Sequence, residues 1–236
     1  MTISSRNISK LQTAELRPIA EFGSAAHRLR ERPARLHLLC GHSGVFTLGL
    51  AMGSASQQPI SVIDGALRFN SYTLSKIARS LGMEAKALLH RTHVTRSFTA
   101  YQTEAAITGK LPRFLDASPC RIVIILGLLD TYYDEQVQPH ECRQSLHRIL
   151  GTLRSLVNRN IHVLIADLEV ATPPQGKEDL FRLLKESADT VTILEPHGNG
   201  FRLKEERSNH IWDATTIRSR LSSTNRERNG ASFAAR

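Results

Sequence analysis

A glycine-containing turn between an apolar strand and an apolar helix constrains the fold of this chain more than any other feature of its sequence. The run LHLL leads into Gly41 and Gly44, residues 45–52 have apolar side chains at helical spacing, and the β-branched run at residues 60–63 ends on Asp64. Strand, glycine turn, helix and strand in this order are typical of the first βαβ unit of an open α/β sheet. The backbone N–H groups of such a turn normally face a phosphate.

The turn, GHSGVFT, departs from the phosphate-binding P-loop that its position suggests. A P-loop has the form GxxxxGK[ST], in which the lysine reaches the β- and γ-phosphates and the hydroxyl ligates magnesium. No lysine occurs between Arg35 and Asp64. The turn therefore predicts a vestigial nucleotide or phosphate site, and its candidate residues are Gly41, His42, Ser43, Gly44 and Thr47.

Further strands and helices alternate along the chain. The continuous apolar run RIVIIL at residues 121–126 is typical of a strand that is buried on both faces at the centre of a sheet. Residues 161–166 predict another buried strand, and the apolar stripe from Leu146 to Val157 predicts the helix before it. Two short strands on either side of the turn PHGNG indicate a hairpin. The pattern predicts an α/β fold with a mainly parallel sheet and an antiparallel edge.

The order of these parts resembles the ATPase core of the RecA/RadA recombinases, a family of the P-loop NTPase superfamily. The matching segments lie between residues 35 and 206 and are VIDGALRFNSYTLSKIARSLGM, HVTRSFTAYQTEAA, RIVIILGLLDTYYDE, NIHVLIADLE and ADTVTILEPHGNGFRLKEE. The resemblance implies a RecA-like three-layer α/β/α domain at 35–206, with a mainly parallel central sheet and an antiparallel C-terminal hairpin. Outside it, residues 1–34 are predicted to form a polar, partly helical extension, and residues 207–236 a basic, disordered tail.

The departures from the family fall on the positions that carry its chemistry. The Walker A lysine and the hydroxyl beside it have no counterparts in the turn. The acid that activates water would lie at Gly65 or Ala66, beside Asp64, and the Walker B aspartate matches Gly127. Phosphoryl transfer depends on positioning and charge neutralisation. The resemblance, with degenerate Walker A and Walker B motifs, therefore implies a RecA-like protein that has lost ordinary ATP hydrolysis.

Acidic residues follow several of the predicted strands. Ligands of an open α/β sheet bind at the carboxyl ends of its strands, so two or three of these acids could hold a divalent cation; the alternative is that they are polar loop residues or helix caps. Asp64 and Asp130 are the candidates for the second-strand and Walker B region acids. No metal site is predicted, and ATP with Mg²⁺ is the alternative cofactor. The remaining acids of this set are Asp134, Glu135, Asp167 and Glu169.

A polar and aromatic cluster, RSFTAYQ, offers a second candidate contact surface. Two interpretations are equally favoured: the cluster contacts a nucleotide or a partner subunit, or it packs its helix against the sheet. Tyr132 and Tyr133 follow the central strand at a position predicted to be exposed, where stacking on nucleobases is an alternative to the favoured interpretation, structural packing. The candidate contact residues are Arg68, Arg96, Tyr101 and Gln102.

The charge balance favours an anionic partner. The chain has 31 Lys and Arg residues against 22 Asp and Glu residues, which gives a net charge of +9; the alternative interpretation is a solvated basic surface. Its three cysteines are far apart and include no CxxC pair, so neither a zinc site nor a disulfide framework is indicated, and a reducing cytoplasm is expected. No apolar run approaches the length of a membrane span, so no membrane partner is predicted.

The predicted function is binding without hydrolysis: a cytoplasmic RecA-like protein that binds DNA or a DNA recombination or repair partner. The alternative is a nucleotide-binding ATPase with a noncanonical P-loop, in which Arg68 or Arg96 replaces the lysine and Asp130 or Asp64 holds magnesium. A protein that uses the RecA-like surface only for self-association is a third interpretation. A dinucleotide-binding domain is also considered, although GHSGVFTLG does not match GxGxxG.

Overall fold

The computed structural model describes residues 34–198, 200–206 and 211–213, the last of these as backbone only. The extension predicted for residues 1–34, apart from Ala34, lies outside this part of the chain, and so does most of the tail predicted for residues 207–236.

An eight-stranded sheet organises the described chain. Its strand order is β3-β2-β4-β5-β1-β6-β7-β8. Strands β1 to β6 run parallel to one another, whereas β7 is antiparallel to both β6 and β8. The predicted α/β class, with a mainly parallel sheet and an antiparallel edge, is confirmed. The strands are β1 Leu36–Gly41, β2 Ile60–Asp64, β3 Thr92–Arg96, β4 Ile122–Leu126, β5 His162–Ala166, β6 Thr190–His197, β7 Gly200–Glu205 and β8 Ile211–Asp213.

Helices cover both faces of the sheet and complete three layers, an arrangement consistent with a RecA-like fold. The first three helices share one apolar cluster with side chains of β1, β2, β4 and β5, and the later four share a second cluster on the opposite face. The helices are α1 Val45–Ala55, α2 Ser71–Ser80, α3 Ala85–His90, α4 Ala100–Ala105, α5 Leu111–Asp116, α6 Pro139–Asn158 and α7 Leu180–Ser187. A π-helical turn, Ala106–Lys110, joins α4 to α5, and a 3₁₀ turn, Asp130–Tyr132, follows β4.

Strand β4 lies among the parallel strands, between β2 and β5. All five of its residues are buried, and they pack alternately into the two apolar clusters. A strand buried on both faces has no need of polar residues in alternate positions, and this explains the unbroken apolar run in the sequence. The prediction of a central strand here is confirmed.

The ends of the helices follow the expected local chemistry. The side chain of Asn70 accepts the N–H of Tyr72 at the start of α2, and Thr99 accepts the N–H of Gln102 at the start of α4. Gly82, with φ +68°, follows α2 in the left-handed conformation that ends many helices. Residues close in the sequence therefore set where α2 ends and where α4 begins.

The antiparallel edge extends further than the sequence predicts. Strands β6 and β7 form the expected hairpin, with Leu194 opposite Leu203. Beyond Glu206, where the sequence predicts the domain to end, Ile211–Asp213 pairs with β7 as an eighth strand. The predicted boundary therefore ends the domain one strand too early.

None of the helices in the described ranges is both long and apolar enough to cross a membrane.

Candidate functional site

The carboxyl edge of the parallel strands is the candidate site. From β1, the chain passes through α1 to β2 on one side, whereas from β5 it passes through α7 to β6 on the other. Such a reversal of direction leaves a crevice beyond the carboxyl ends of the strands, where ligands of open α/β sheets bind. The exit segments that border it are residues 41–44, 64–69, 127–133 and 167–169.

The first turn uses its N–H groups inside the protein. The N–H of His42 donates to the carbonyl of Leu194 at 2.8 Å, and the N–H of Val45 donates to the carbonyl of His42 at 3.0 Å. The N–H of Gly44 donates to the Nδ1 atom of His42 at 3.1 Å. A phosphate cradle needs such groups to point at the ligand. Three donors of this turn already have protein acceptors.

The turn is also closely packed against β6. Gly41 has φ +102°, and a Cβ atom there would lie 2.4 Å from the carbonyl oxygen of Leu194, so only glycine fits. The His42 ring lies 4.7 Å from the Phe201 ring, between centroids. Ser43 is exposed, and Thr47 is half-buried within α1. The five predicted residues of the turn are thus neighbours in space because they all belong to one strand–helix junction.

Asp64, at the end of β2, is fully buried and surrounded by donors. Its two oxygens accept the N–H groups of Arg68 at 2.8 Å and Phe69 at 3.1 Å. The Nε atom of Arg96 lies 3.5 Å from Oδ2, as an ion pair with a fully buried carboxylate. Asp64 therefore holds the segment after β2 against the end of β3, which is a positioning role.

Gly65 and Gly127, two of the positions predicted to correspond to the family's catalytic acids, leave no room for a side chain. A Cβ atom on Gly65 would lie 2.7 Å from the carbonyl oxygen of Gly127. A Cβ atom on Gly127, where φ is +62°, would lie 2.2 Å from the Cβ atom of Ala66. The exits of β2 and β4 therefore touch through their backbones.

Asp167, at the exit of β5, is a fully buried carboxyl group. It accepts the N–H groups of Leu129 and Leu168, both at 2.9 Å, so it ties the exit of β5 to the exit of β4. Its burial, together with the nearby charge of Asp130, raises its pKa to about 7. Burial also raises the pKa of Asp130, while the charge of Arg68 lowers it.

The acids at the strand exits do not form a three-donor metal group. Among the residues that the structure describes, no set of three His, Cys, Asp or Glu side chains is arranged to hold a metal ion. Asp130 and Asp167 are near each other, but Asp64 is already engaged by Arg96 and two backbone N–H groups. The exposed acids Asp134 and Glu135 lie further along the same loop.

Tyr132 lies in the core, and its predicted exposure is wrong. It is fully buried, with its hydroxyl 2.6 Å from that of Ser145 and 3.3 Å from the carbonyl of Ala100. The 3₁₀ turn directs its ring toward α6 instead of solvent, so structural packing explains it. Tyr133 is half-buried, and burial raises the pKa of its phenol.

A buried lysine that the sequence analysis missed anchors the loop after β4. Lys177 is 2% exposed, and its Nζ atom donates to the carbonyls of Tyr132 at 2.9 Å and Asp134 at 2.5 Å. Its segment, PPQGKED, has the composition of a surface loop, so no local signal marks the lysine as buried. The contact joins the loop after β4 to the loop after β5.

The cluster RSFTAYQ is a surface feature. Phe98 and Tyr101 are 64% and 62% exposed, so the alternative that they pack the helix against the sheet is wrong for these two rings. The N–H of Phe98 donates to the side chain of Gln102 at 2.9 Å, and the Tyr101 hydroxyl donates to Glu141 at 3.0 Å. We call Arg96, Phe98 and Tyr101 the aromatic patch; it follows the carboxyl end of β3, next to the exit of β2.

Comparison with models of known protein families found no match to this chain. Comparison with curated proteins also found no similar sequence.

Proposed function

We propose that this chain is a non-hydrolysing RecA-like protein that acts by binding DNA. The observation that carries the proposal is the first turn, where the N–H groups of His42, Gly44 and Val45 have acceptors within the protein. A nucleotide would have to displace these bonds without a lysine in the turn to neutralise its phosphates. The function that this geometry supports best is binding of a partner elsewhere on the protein, while the N–H groups of the first turn keep their acceptors.

The exits of β2 and β4 support the same proposal. An acid that activates water, or one that holds magnesium, needs space at the crevice. The carbonyl of Gly127 fills that space beside Gly65, and the methyl group of Ala66 fills it beside Gly127. Enzymatic phosphoryl transfer depends on placing such groups around the phosphate. Without them, the fold can hold a partner but has little means of cleaving a nucleotide.

The distribution of charge supports DNA as the partner. Residues 35–206 hold 19 of the 31 Lys and Arg residues and 17 of the 22 Asp and Glu residues, a net charge of +2, so seven of the nine excess positive charges belong to the flanking segments. Within the domain, arginines of α6 pair with carboxylates, as Arg143 does with Asp179 and Arg154 with Asp189, both at 2.7 Å. Sequence-independent attraction to phosphates would therefore come largely from the flanking segments.

A fluorescence-anisotropy titration of the full chain with labelled DNA at several salt concentrations tests the proposal. We expect binding at low salt and a linear fall of log K with log salt, because each neutralised phosphate releases counterions. The same preparation should release no phosphate from ATP above the background. Absence of DNA affinity at low salt would refute DNA as the partner and leave a recombination or repair protein as the remaining form of the binding function.

One observation favours a second candidate, a nucleotide-binding ATPase with a noncanonical P-loop. The guanidinium carbon of Arg68 lies 5.1 Å from the centroid of the Phe46 ring, at the first turn of α1, and its charge acts on Asp130. An arginine there could supply a cation that the turn lacks. Thermal denaturation with ATP and Mg²⁺ distinguishes the two candidates, since a ligand that binds the folded state raises its apparent stability. A rise that is lost in Arg68→Ala would favour the ATPase.

A further inference from the structure

We propose that the aromatic patch is a stacking surface for the bases of single-stranded DNA. This inference rests on the DNA-binding function proposed above and assigns base contact to Phe98 and Tyr101, away from the closed first turn. Two large rings, 64% and 62% exposed, lie three residues apart at the start of α4. Exposed rings of this kind are the platforms on which single-stranded nucleic acids stack their bases.

Hydrogen bonds hold the segment that carries these rings before any ligand arrives. Thr99 caps α4 by accepting the N–H of Gln102, and the Gln102 side chain in return accepts the N–H of Phe98. The Tyr101 hydroxyl is fixed by Glu141 on α6. A rigid pair of rings loses little conformational freedom on binding, so more of the stacking energy appears as affinity.

An arginine beside the rings supplies a site for phosphate. The Arg96 side chain is half exposed, and its guanidinium is held by the carbonyl of Phe69 at 3.1 Å and by the buried Asp64 carboxylate. Arg68, which is exposed, lies on the neighbouring exit of β2. Arginines next to exposed rings match a ligand that alternates aromatic bases with phosphates.

The surroundings of the patch favour a single strand over a duplex or a protein partner. The faces of bases in a duplex are covered by their neighbours, so only unpaired bases can stack on the two rings. A stable protein interface needs an apolar centre that buries several hundred Å² on each side. Within residues 95–102, the exposed residues other than the two rings are polar or charged: Thr95, Arg96, Thr99 and Gln102.

The test compares variants of the full chain in binding a fluorescein-labelled oligothymidine and a duplex of the same length. We expect Phe98→Ala and Tyr101→Ala each to weaken binding of the single strand by roughly tenfold, because stacking on one ring contributes about that much. Phe98→Tyr should keep the affinity, since it keeps the ring. Tyr72→Ala, which removes a tyrosine that is 58% exposed on α2, is the matched control and should leave binding unchanged.

The outcomes separate this inference from the function on which it rests. If the unmodified chain binds no DNA, the proposed function fails. If it binds DNA and the double variant Phe98→Ala/Tyr101→Ala binds the single strand equally well, the stacking surface is refuted while DNA binding stands. If the double variant instead alters the sedimentation coefficient of the free protein and leaves DNA affinity intact, the patch is a self-association surface and the inference is wrong. Circular dichroism confirms that each variant is folded.

Discussion

The Cβ atom of Ala66 lies where a side chain on Gly127 would have to begin: the two Cβ atoms would be 2.2 Å apart. Ala66 follows β2 and Gly127 follows β4, and these strands are hydrogen-bonded neighbours. Gly127, the position that resembles the Walker B aspartate, therefore lacks both a carboxylate and the space for a side chain. The methyl group of Ala66 occupies the place of the Cβ atom that an aspartate would need, so an acid at residue 127 requires the exit of β2 to move.

Replacement of Gly127 should destabilise the protein and create no ATPase. Gly127→Ala places a side chain at φ +62° and against Ala66, so we expect the free energy of unfolding to fall by more than about 2 kcal/mol in urea titrations. Gly127→Asp should be less stable still and should release no phosphate from ATP with Mg²⁺. In Gly151→Ala on α6, the new Cβ atom has no neighbour within 4 Å, so this control should be neutral or stabilising. Magnesium-dependent ATP hydrolysis by Gly127→Asp would contradict the interpretation.

Loss of the buried lysine should be costly because of the acceptors that it leaves behind. In Lys177→Met, the carbonyls of Tyr132 and Asp134 lose the ammonium donor and keep only weaker ones, the Cys142 thiol and the N–H of Val137 respectively. We expect the free energy of unfolding to fall by about 2–4 kcal/mol, measured by chemical denaturation. Lys86→Met, at an exposed position of α3, should change it by less than about 0.5 kcal/mol. Equal stability of the two variants would show that the contacts of Lys177 are not stabilising.

Stability should depend on pH through Asp167. Its pKa is raised from the usual 3.8 of an aspartate to about 7 in the folded protein, so between these values the folded state holds a proton that the unfolded state has released. This group alone should contribute a loss of about 2–3 kcal/mol between pH 5 and pH 7, because unfolding becomes easier as Asp167 ionises. Asp130, whose pKa is also raised, should add to the same slope. His37, whose pKa is lowered to about 4 mainly by its burial, acts in the opposite direction over the same range.

Asp167→Asn tests that assignment. The variant should be less stable at pH 5, because an amide offers one acceptor to the two N–H groups of Leu129 and Leu168. From pH 5 to pH 7 the stability of this variant should nevertheless fall less, or rise more, than that of the unmodified chain, because the contribution of Asp167 is gone and that of His37 remains. Glu135→Gln, at an exposed position of the loop after β4, is the control and should retain the full slope. An unchanged slope in Asp167→Asn would place the titrating group elsewhere.

Tyr132 should matter for stability and not for DNA. Tyr132→Phe removes a buried hydroxyl that is bonded to Ser145 and Ala100, so thermal denaturation should show a loss of about 1 kcal/mol. Affinity for single-stranded DNA should be unchanged, because the ring is enclosed by the core. A loss of affinity without a loss of stability would indicate that the Tyr132 hydroxyl contacts DNA.

The fold could be predicted wherever a short stretch of sequence determines its own structure. The run RIVIIL predicted β4 because burial on both faces removes polar residues from the strand itself. Gly82 marks the end of α2 and Thr99 the start of α4, because helix ends depend on residues a few positions away. The end of the sheet was not predicted because β8 has only three residues and lies in a polar tail. Its pairing with β7 depends on tertiary contacts that the local sequence does not indicate.

The candidate site was harder to predict because its geometry depends on contacts between distant segments. The sequence indicates that Gly127 lacks a carboxylate, but it cannot show that Ala66, far away in the chain, fills the same space. The pattern after β4 places Tyr132 and Tyr133 side by side, and only the 3₁₀ turn decides which ring enters the core. The exposure of Phe98 is likewise decided by where α4 begins.

The burial of Lys177 provides a natural reporter of local opening. An amine-reactive reagent cannot reach an ammonium group that is 2% exposed and bonded to two carbonyls, whereas exposed lysines such as Lys86 should be modified at once. Labelling of Lys177 therefore proceeds only as fast as the loops after β4 and β5 separate. Mass spectrometry of the labelled peptides would measure this rate, and with it the rate at which this edge of the sheet opens. A partner bound at this edge should slow the labelling of Lys177.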